Sequence, residues 1–219
     1  MHVFLVRHGE CFGNIDPDMT DPDTDLTPLG ETQARRVGMR LAELKVTHLV
    51  SSPLLRAIAT SEIIATHTNI ATFDVWMDLR EGNHGAYWCR PRAHLIARGP
   101  KAILPDEIEA DGWLHKTTNN SEFVGRCERV VTCIKETFTH DDRLAVVTHG
   151  LVGNNMLHIF LGISLQQPMW FELSNASITG VRFVVDPLRE RPNWELLPPV
   201  DVEVAYVNDM RHLFDPETC

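Results

Sequence analysis

The stretch Val3-Phe4-Leu5-Val6-Arg7-His8-Gly9-Glu10 decides the fold of this chain. Its apolar run is unbroken and gives way at once to an arginine, a histidine and a glycine. Such a run reads as a strand buried on both faces, the habit of a parallel sheet covered by helices. Open sheets of that kind place ligands at the carboxyl ends of their strands, where Arg7 and His8 stand. An imidazole with one unprotonated nitrogen can attack phosphorus, and Gly9 lets the chain turn sharply beside it. The Arg7 guanidinium is a fork that matches phosphate oxygens. Taken alone, the triplet reads more simply as an exposed strand end.

The same arrangement recurs twice along the chain. Thr148-His149-Gly150 follows an expected strand over residues 144–148 and opens an expected helix over 151–161, closed by Gly162. Histidine, glycine and a helix N-terminus make a natural anion site. Ser51-Ser52-Pro53-Leu54-Leu55-Arg56-Ala57 follows an expected strand over 47–51, with Ser52 and Pro53 as a cap-and-proline helix start and Arg56 in the first turn. Arg7, His8, Arg56 and His149 can therefore converge on one tetrahedral oxyanion.

Around these points the pattern is that of an alternating strand–helix chain, predicting an α/β fold: a three-layer α/β/α sandwich on a central, mostly parallel sheet. Thr27 caps a helix that begins with Pro28 and runs to about Lys45, and a third strand falls over 71–76. Residues 121–138 form a helix, and later strands are expected over 178–185, 194–197 and 202–207. Residues 11–25 read as loop. The stretch 82–120 has weak periodicity and several prolines, and reads as a lid or insertion in an otherwise single domain of 1–219.

Composition bounds the function. Of 219 residues, 43% are apolar and 23% charged, as in ordinary globular proteins. The net charge of −10 disfavours nucleic acid and anionic membranes as partners, without excluding one small phosphate held by its nearest cations. Five cysteines, an odd number without a C-x-x-C, suit reduced thiols in the cytoplasm. The first apolar run is too short for a signal peptide or a span, and the oligomeric state is unreadable.

The chain resembles the histidine phosphatase superfamily, the group that includes the cofactor-dependent phosphoglycerate mutases. The resemblance rests on Arg7-His8-Gly9-Glu10 with Asn14 following, Leu26-Thr27 with Gly30, Gln33 and Ala34, and Ser51 through Ala57. It continues with Leu79-Arg80-Glu81 with Gly85 following, Val147 through Gly150, Asn175-Ala176-Ser177-Ile178 and Asn208 through Leu213. It implies His8 as the nucleophile forming a phosphohistidine, with Arg7, Arg56 and His149 holding the phosphoryl oxygens and Asn14 adding a hydrogen bond. It also implies Glu81 as proton donor to the leaving alkoxide and then base for water, and it implies no metal. Two positions depart from the family pattern: Cys11 replaces a serine or threonine, and Leu151 a second glycine. Cys11 as an attacking group is the weaker reading beside a small packing residue.

The reading is a phosphomonoesterase acting on a small phosphorylated metabolite or phosphoester, needing no cofactor. The compact segment between Glu81 and His149 resembles the phosphatase branch, the mutases being longer there. Arg90 and Arg92, within it, are candidates for a second acidic group on the substrate, while Arg98 and Lys101 read as solvated charges. Trp88 reads as a packing anchor more than a cover. Phosphoglycerate mutase activity is the first alternative and a non-catalytic phospho-ligand binding module the second. His84, His94, His115 and His158 lack metal-ligand spacing, and His158 reads as a packed, hydrogen-bonded side chain.

Overall fold

The computed structural model of the chain describes residues 1–16, 18–82, 85–116, 119–166, 168–184 and 201–214. The opening apolar run is β1 (His2–Arg7), whose interior residues are all buried. It pairs in parallel with β7 (Arg143–Thr148), Val6 facing Val147 and Arg7 facing Thr148. Outward from β7 come β2 (His48–Ser51), β3 (Phe73–Val75) and β5 (Ala102–Ile103), all parallel. On the other side of β1 lies β8 (Ile178–Phe183), antiparallel to it, and then β9 (Val202–Asp209). The sheet order is β5-β3-β2-β7-β1-β8-β9.

The two faces of β1 sort the core. Phe4 and Val6 pack with Ala145 and Val147 against Val37 and Leu41 of α2 (Pro28–Glu43) and Ile58 of α3 (Leu55–His67). Val3 and Leu5 pack with Leu144 and Val146 against Val130 and Ile134 of α5 (Asn120–Thr137) and Val152 and Met156 of α6 (Gly150–Phe160). Helices thus cover both faces, and the fold is the three-layer α/β/α sandwich with a mostly parallel sheet. Among the described residues no helix is long and apolar enough to cross a membrane.

Several expectations are corrected in detail. The loop 11–25 contains a one-turn helix, α1 (Phe12–Ile15). α3 begins at Leu55, later than Ser52 and Pro53 suggested, because the buried Asp23 carboxylate accepts the Leu55 N–H at 2.8 Å. The segment 82–120 is not structureless: it carries β4 (Tyr87–Cys89), α4 (Arg92–Arg98), β5 and β6 (Trp113–His115). β5 extends the central sheet, β4 pairs with β6, and Leu95, Ile108 and Trp113 are buried in the same cluster as Phe4. Those elements are too short to show a period. The strand expected over 194–197, like residue 185, lies outside the described residues.

Thr27 and Pro28 start α2 as expected, the Thr27 hydroxyl accepting the Gly30 N–H at 3.0 Å. The helix start sits against the β1 exit so closely that a Cβ on Gly30 would overlap the Glu10 carbonyl oxygen, and one on Gly9 would lie 2.5 Å from the Gly30 oxygen. Gly125 in α5 has only the far end of the Arg129 side chain near the corresponding position. Gly30→Ala is therefore expected to destabilise by about 3 kcal/mol or more, backbone being unable to yield. Gly125→Ala should stabilise by about 0.5–1 kcal/mol through helix propensity. Urea unfolding of the two variants checks the opposite signs.

Candidate active site

Because Arg7 and Thr148 are register partners, the residues that follow them leave the sheet side by side. The His8 N–H donates to the Thr148 carbonyl at 3.0 Å, and the two imidazoles lie 5.0 Å apart at 59°. Arg56, in the first turn of α3, brings its Nε–H to His8 Nε2 at 3.2 Å. The Arg7 side chain donates to the Leu173 carbonyl at 2.7 Å and lies over the start of α6, where a Cβ on Gly150 would be 3.8 Å from the guanidinium carbon. Arg7, His8, Arg56 and His149, from three strand ends, thus meet in one place.

The contacts of His8 settle its proton. Nδ1 lies 2.7 Å from the Gly9 carbonyl oxygen, which can only accept, so Nδ1 carries the hydrogen. Nε2 is then the bare nitrogen, as its contact with the Arg56 donor requires. Burial, then the positive charges of Arg56 and Arg7, push the His8 pKa well below the usual imidazole value. A neutral ring results. His149 is pushed the same way, by burial first and Arg56 next. Its Nε2 lies 2.7 Å from the Ser52 hydroxyl, and its buried Nδ1 has no partner among the described residues. Ser52, expected as a helix cap, accepts the Leu54 N–H at 3.3 Å and also meets this histidine.

Glu10 explains the Leu26–Ala34 motif. The Thr27 hydroxyl donates to Glu10 Oε1 at 2.7 Å, the Thr27 N–H to the Glu10 carbonyl at 3.0 Å, and the Glu10 N–H reaches Gln33 Oε1 at 2.8 Å. The Gly9 N–H reaches the Thr60 hydroxyl at 3.1 Å. The turn after His8 is therefore clamped from α2 and α3. The Cys11 thiol points to Asn14 Oδ1 at 3.2 Å, where it caps α1. The Asn175 amide donates to the same oxygen at 3.0 Å and to the His8 carbonyl at 3.1 Å. With its oxygen occupied, Asn14 has its amide N–H groups left to offer. Asn175, in the Asn175–Ile178 motif, thus ties Asn14 to the His8 backbone.

Glu81 is placed by α6 and by a buried cation. One carboxylate oxygen accepts the Gly82 N–H at 2.9 Å and the other the Leu151 N–H at 3.2 Å, so the carboxylate sits on the α6 N-terminus. Arg126, fully buried in α5, donates to the carbonyls of Asp78 at 2.7 Å, Arg80, and Glu81 at 3.0 Å. Burial lowers its pKa only to about 10, so it stays charged. His115, also buried, has its ring nitrogens 3.1 and 3.2 Å from the Glu81 and Lys116 carbonyl oxygens, and is no solvent-facing ligand. The signal for Arg126 in the sequence was only a cation on the apolar side of a helix.

The cavity over these groups holds about 530 Å³ and is walled by Arg7, His8, Asn14, Arg56, Glu81 and Gly150. Cys11, Gly13, Asp16, Met19, Asp21, Pro22, Thr24 and Trp170 complete it. His149 is buried just behind His8 and is not itself part of the wall. Arg90 and Arg92 do not join it. The Arg92 guanidinium is held by the Leu104, Pro105 and Ile108 carbonyls, and Arg90 pairs with Asp21 while its backbone N–H reaches Asp23. Arg98 is no solvated charge either, pairing with Asp25 and Glu31 at 2.8 and 2.7 Å. Trp88 is exposed and away from this wall. His158 is packed edge-on to Phe171, 5.2 Å between centres, but without the expected hydrogen bond among the described residues. His84 lies outside the described residues.

The family model of the histidine phosphatase superfamily (branch 1) matches residues 3–189. A protein of Erwinia tasmaniensis named "Probable phosphoglycerate mutase GpmB" is 31% identical over 187 residues, covering 83% of this chain and 84% of its own. Among solved structures, the mycobacterial glucosyl-3-phosphoglycerate phosphatase superposes with a TM-score of 0.63 at 21% identity, covering 95% of this chain and 99% of its own. The phosphoserine phosphatase of Entamoeba histolytica, in complex with 3-phosphoglyceric acid, gives 0.64 at 18%, covering 97% and 99%. These two likenesses bear on the fold; the family model bears on the ancestry of the site. With its paired strand-end histidines on that fold, the chain belongs to the histidine phosphatase superfamily.

Proposed function

We propose that the protein is a phosphomonoesterase that passes a phosphoryl group from its substrate to His8 and then to water. The observation that carries this reading is the bare Nε2 of a neutral, buried His8, fixed by its Nδ1–H bond to Gly9 with Arg56 and Arg7 beside it. Phosphoryl transfer is chiefly positioning and charge stabilisation, and both are built into this cavity floor.

The Nε2 lone pair attacks phosphorus and the P–O bond to the alcohol breaks. Arg56, whose Nε–H now rests on Nε2, turns to a phosphoryl oxygen as the nitrogen is taken up. Arg7, the Asn14 amide and the Gly150 end of α6 take the others, and the unpartnered Nδ1 of His149 lies close behind. Glu81 enters this step protonated and gives that proton to the leaving alkoxide, becoming the carboxylate. In the second half its carboxylate takes a proton from water, the water oxygen attacks phosphorus, the N–P bond breaks and His8 returns neutral. Arg126 and the Leu151 N–H keep that carboxylate in place across both steps.

Mutase activity is the second reading, favoured by the name that the Erwinia tasmaniensis relative carries. A mutase must keep the phosphoryl group until the intermediate rebinds, whereas Asp16 and Met19 on this cavity wall face solvent and let water in. Incubation with 3-phosphoglycerate and, separately, an aryl phosphate distinguishes them. The expected result is inorganic phosphate release that His8→Ala abolishes, with no 2-phosphoglycerate formed; isomerisation faster than release would establish the mutase.

The pH dependence follows from the same imidazole. Attack needs neutral His8, and its lowered pKa keeps it neutral below the ordinary imidazole value of about 6.5. Corrected for substrate ionisation, kcat/KM for p-nitrophenyl phosphate, whose phenolate leaves without a proton from Glu81, should stay within about twofold from pH 7.5 to 5.5, since this ratio reports the free enzyme. A tenfold fall centred near the unperturbed imidazole pKa would contradict the neutral buried ring.

A further inference from the structure

We infer that the alcohol portion of the substrate is apolar and carries no second anionic group, seated against Met19 and Trp170 of the His8 cavity and Phe12 of the hollow beside it. This rests on the phosphohistidine reading and names the substrate class it serves.

Three observations carry it. The first is a second hollow of about 310 Å³ beside the His8 cavity, sharing Met19, Asp21 and Thr24 as walls and adding Phe12 and Leu55. Together they leave room for a sizeable body beyond the phosphoryl group. The second is exposure. Phe12 is 42% exposed, Met19 36% and Trp170 60%; Trp170 lines the His8 cavity, Phe12 the hollow beside it, and Met19 both. Lone exposed apolar residues are ordinary, but large ones gathered at a cavity mouth mark a binding surface, and the Trp170 ring offers a flat face.

The third is charge. Among the described residues, the arginines of the two hollows are Arg7 and Arg56, which meet at His8, and Arg90, which is bound to Asp21; neither hollow has a lysine, and His94 is the one further basic side chain, on the wall of the second. The other charged walls are Asp16, Asp21, Asp25 and Glu81. A substrate carboxylate or second phosphate would face four acids with no uncommitted arginine or lysine to meet it. Arg92, two residues after Arg90, is turned to backbone carbonyls.

The test uses three phosphates of primary alcohols, so that leaving-group reactivity stays similar: 2-(2-naphthyl)ethyl phosphate, glycerol 3-phosphate and 3-phosphoglycerate. The naphthylethyl ester should exceed glycerol 3-phosphate in kcat/KM by on the order of tenfold or more, and 3-phosphoglycerate by more still. In the Phe12→Ala/Trp170→Ala double variant the ratio of the first to the second should fall about fivefold or more. Both side chains are exposed, so unchanged thermal melting confirms that the variant is folded. A ratio that the double variant leaves intact, or 3-phosphoglycerate as the best of the three, overturns the inference. Run in parallel, His8→Ala separates the two levels. Equal turnover of all three esters that vanishes in His8→Ala sinks the substrate class alone, while turnover surviving in His8→Ala sinks the chemistry beneath it.

Discussion

The parallel pairing of β1 with β7 is the constraint from which the site follows. With Val6 opposite Val147 and Arg7 opposite Thr148, two imidazoles leave the sheet together and one N–H locks them, His8 to the Thr148 carbonyl. Side chains alternate along a strand, so a slip of one residue would exchange the faces of Val3, Phe4, Leu5 and Val6 and carry His8 away from His149. The register is held because both faces of β1 are buried, each against its own helical layer. The packing of the core and the geometry of the site are therefore a single requirement.

Around that pair the chain manages charge closely. Outside the cavity floor, many of its cations are already committed: Arg126 to three carbonyls, Arg92 to three more, Arg90 and Arg98 to carboxylates. Arg56 and Arg7 differ, with Arg56 resting partly on the lone pair that the reaction needs and the buried Nε of Arg7 finding no partner among the described residues. An acidic protein of net charge −10 can thus attract one phosphate at one point and little anionic charge elsewhere. Burial adds to this by keeping both histidines neutral, so the floor stays receptive without a charge that would tie up the nucleophile.

What was legible in the sequence was whatever repeats on a scale longer than one turn or one pleat. Uninterrupted runs such as residues 3–6 and 144–147 announce buried strands, and the side chains that follow them inherit the strand-end position. The elements of 82–120 were hidden because β4 and β6 are three residues each and β5 two, below the length at which a period can be counted. The partners of Arg90 and Arg92 were hidden for a different reason. A cation in a sequence does not declare its partner, and theirs are Asp21 and the 104–108 carbonyls. Glu81 stood out only through the family resemblance, since its position depends on Arg126 and Leu151, 45 and 70 residues away. The Leu26–Ala34 motif was visible but silent: that Thr27 and Gln33 hold Glu10 needs the fold itself.

Rapid quenching with a phosphorus-labelled substrate, followed by mapping of the labelled peptide, tests the central idea most directly. The account predicts label on Nε2 of His8, stable in alkali, lost in acid and discharged by water in the next step. Label found on Cys11 or on a carboxylate, or turnover with no phosphoprotein at any quench time, would contradict it.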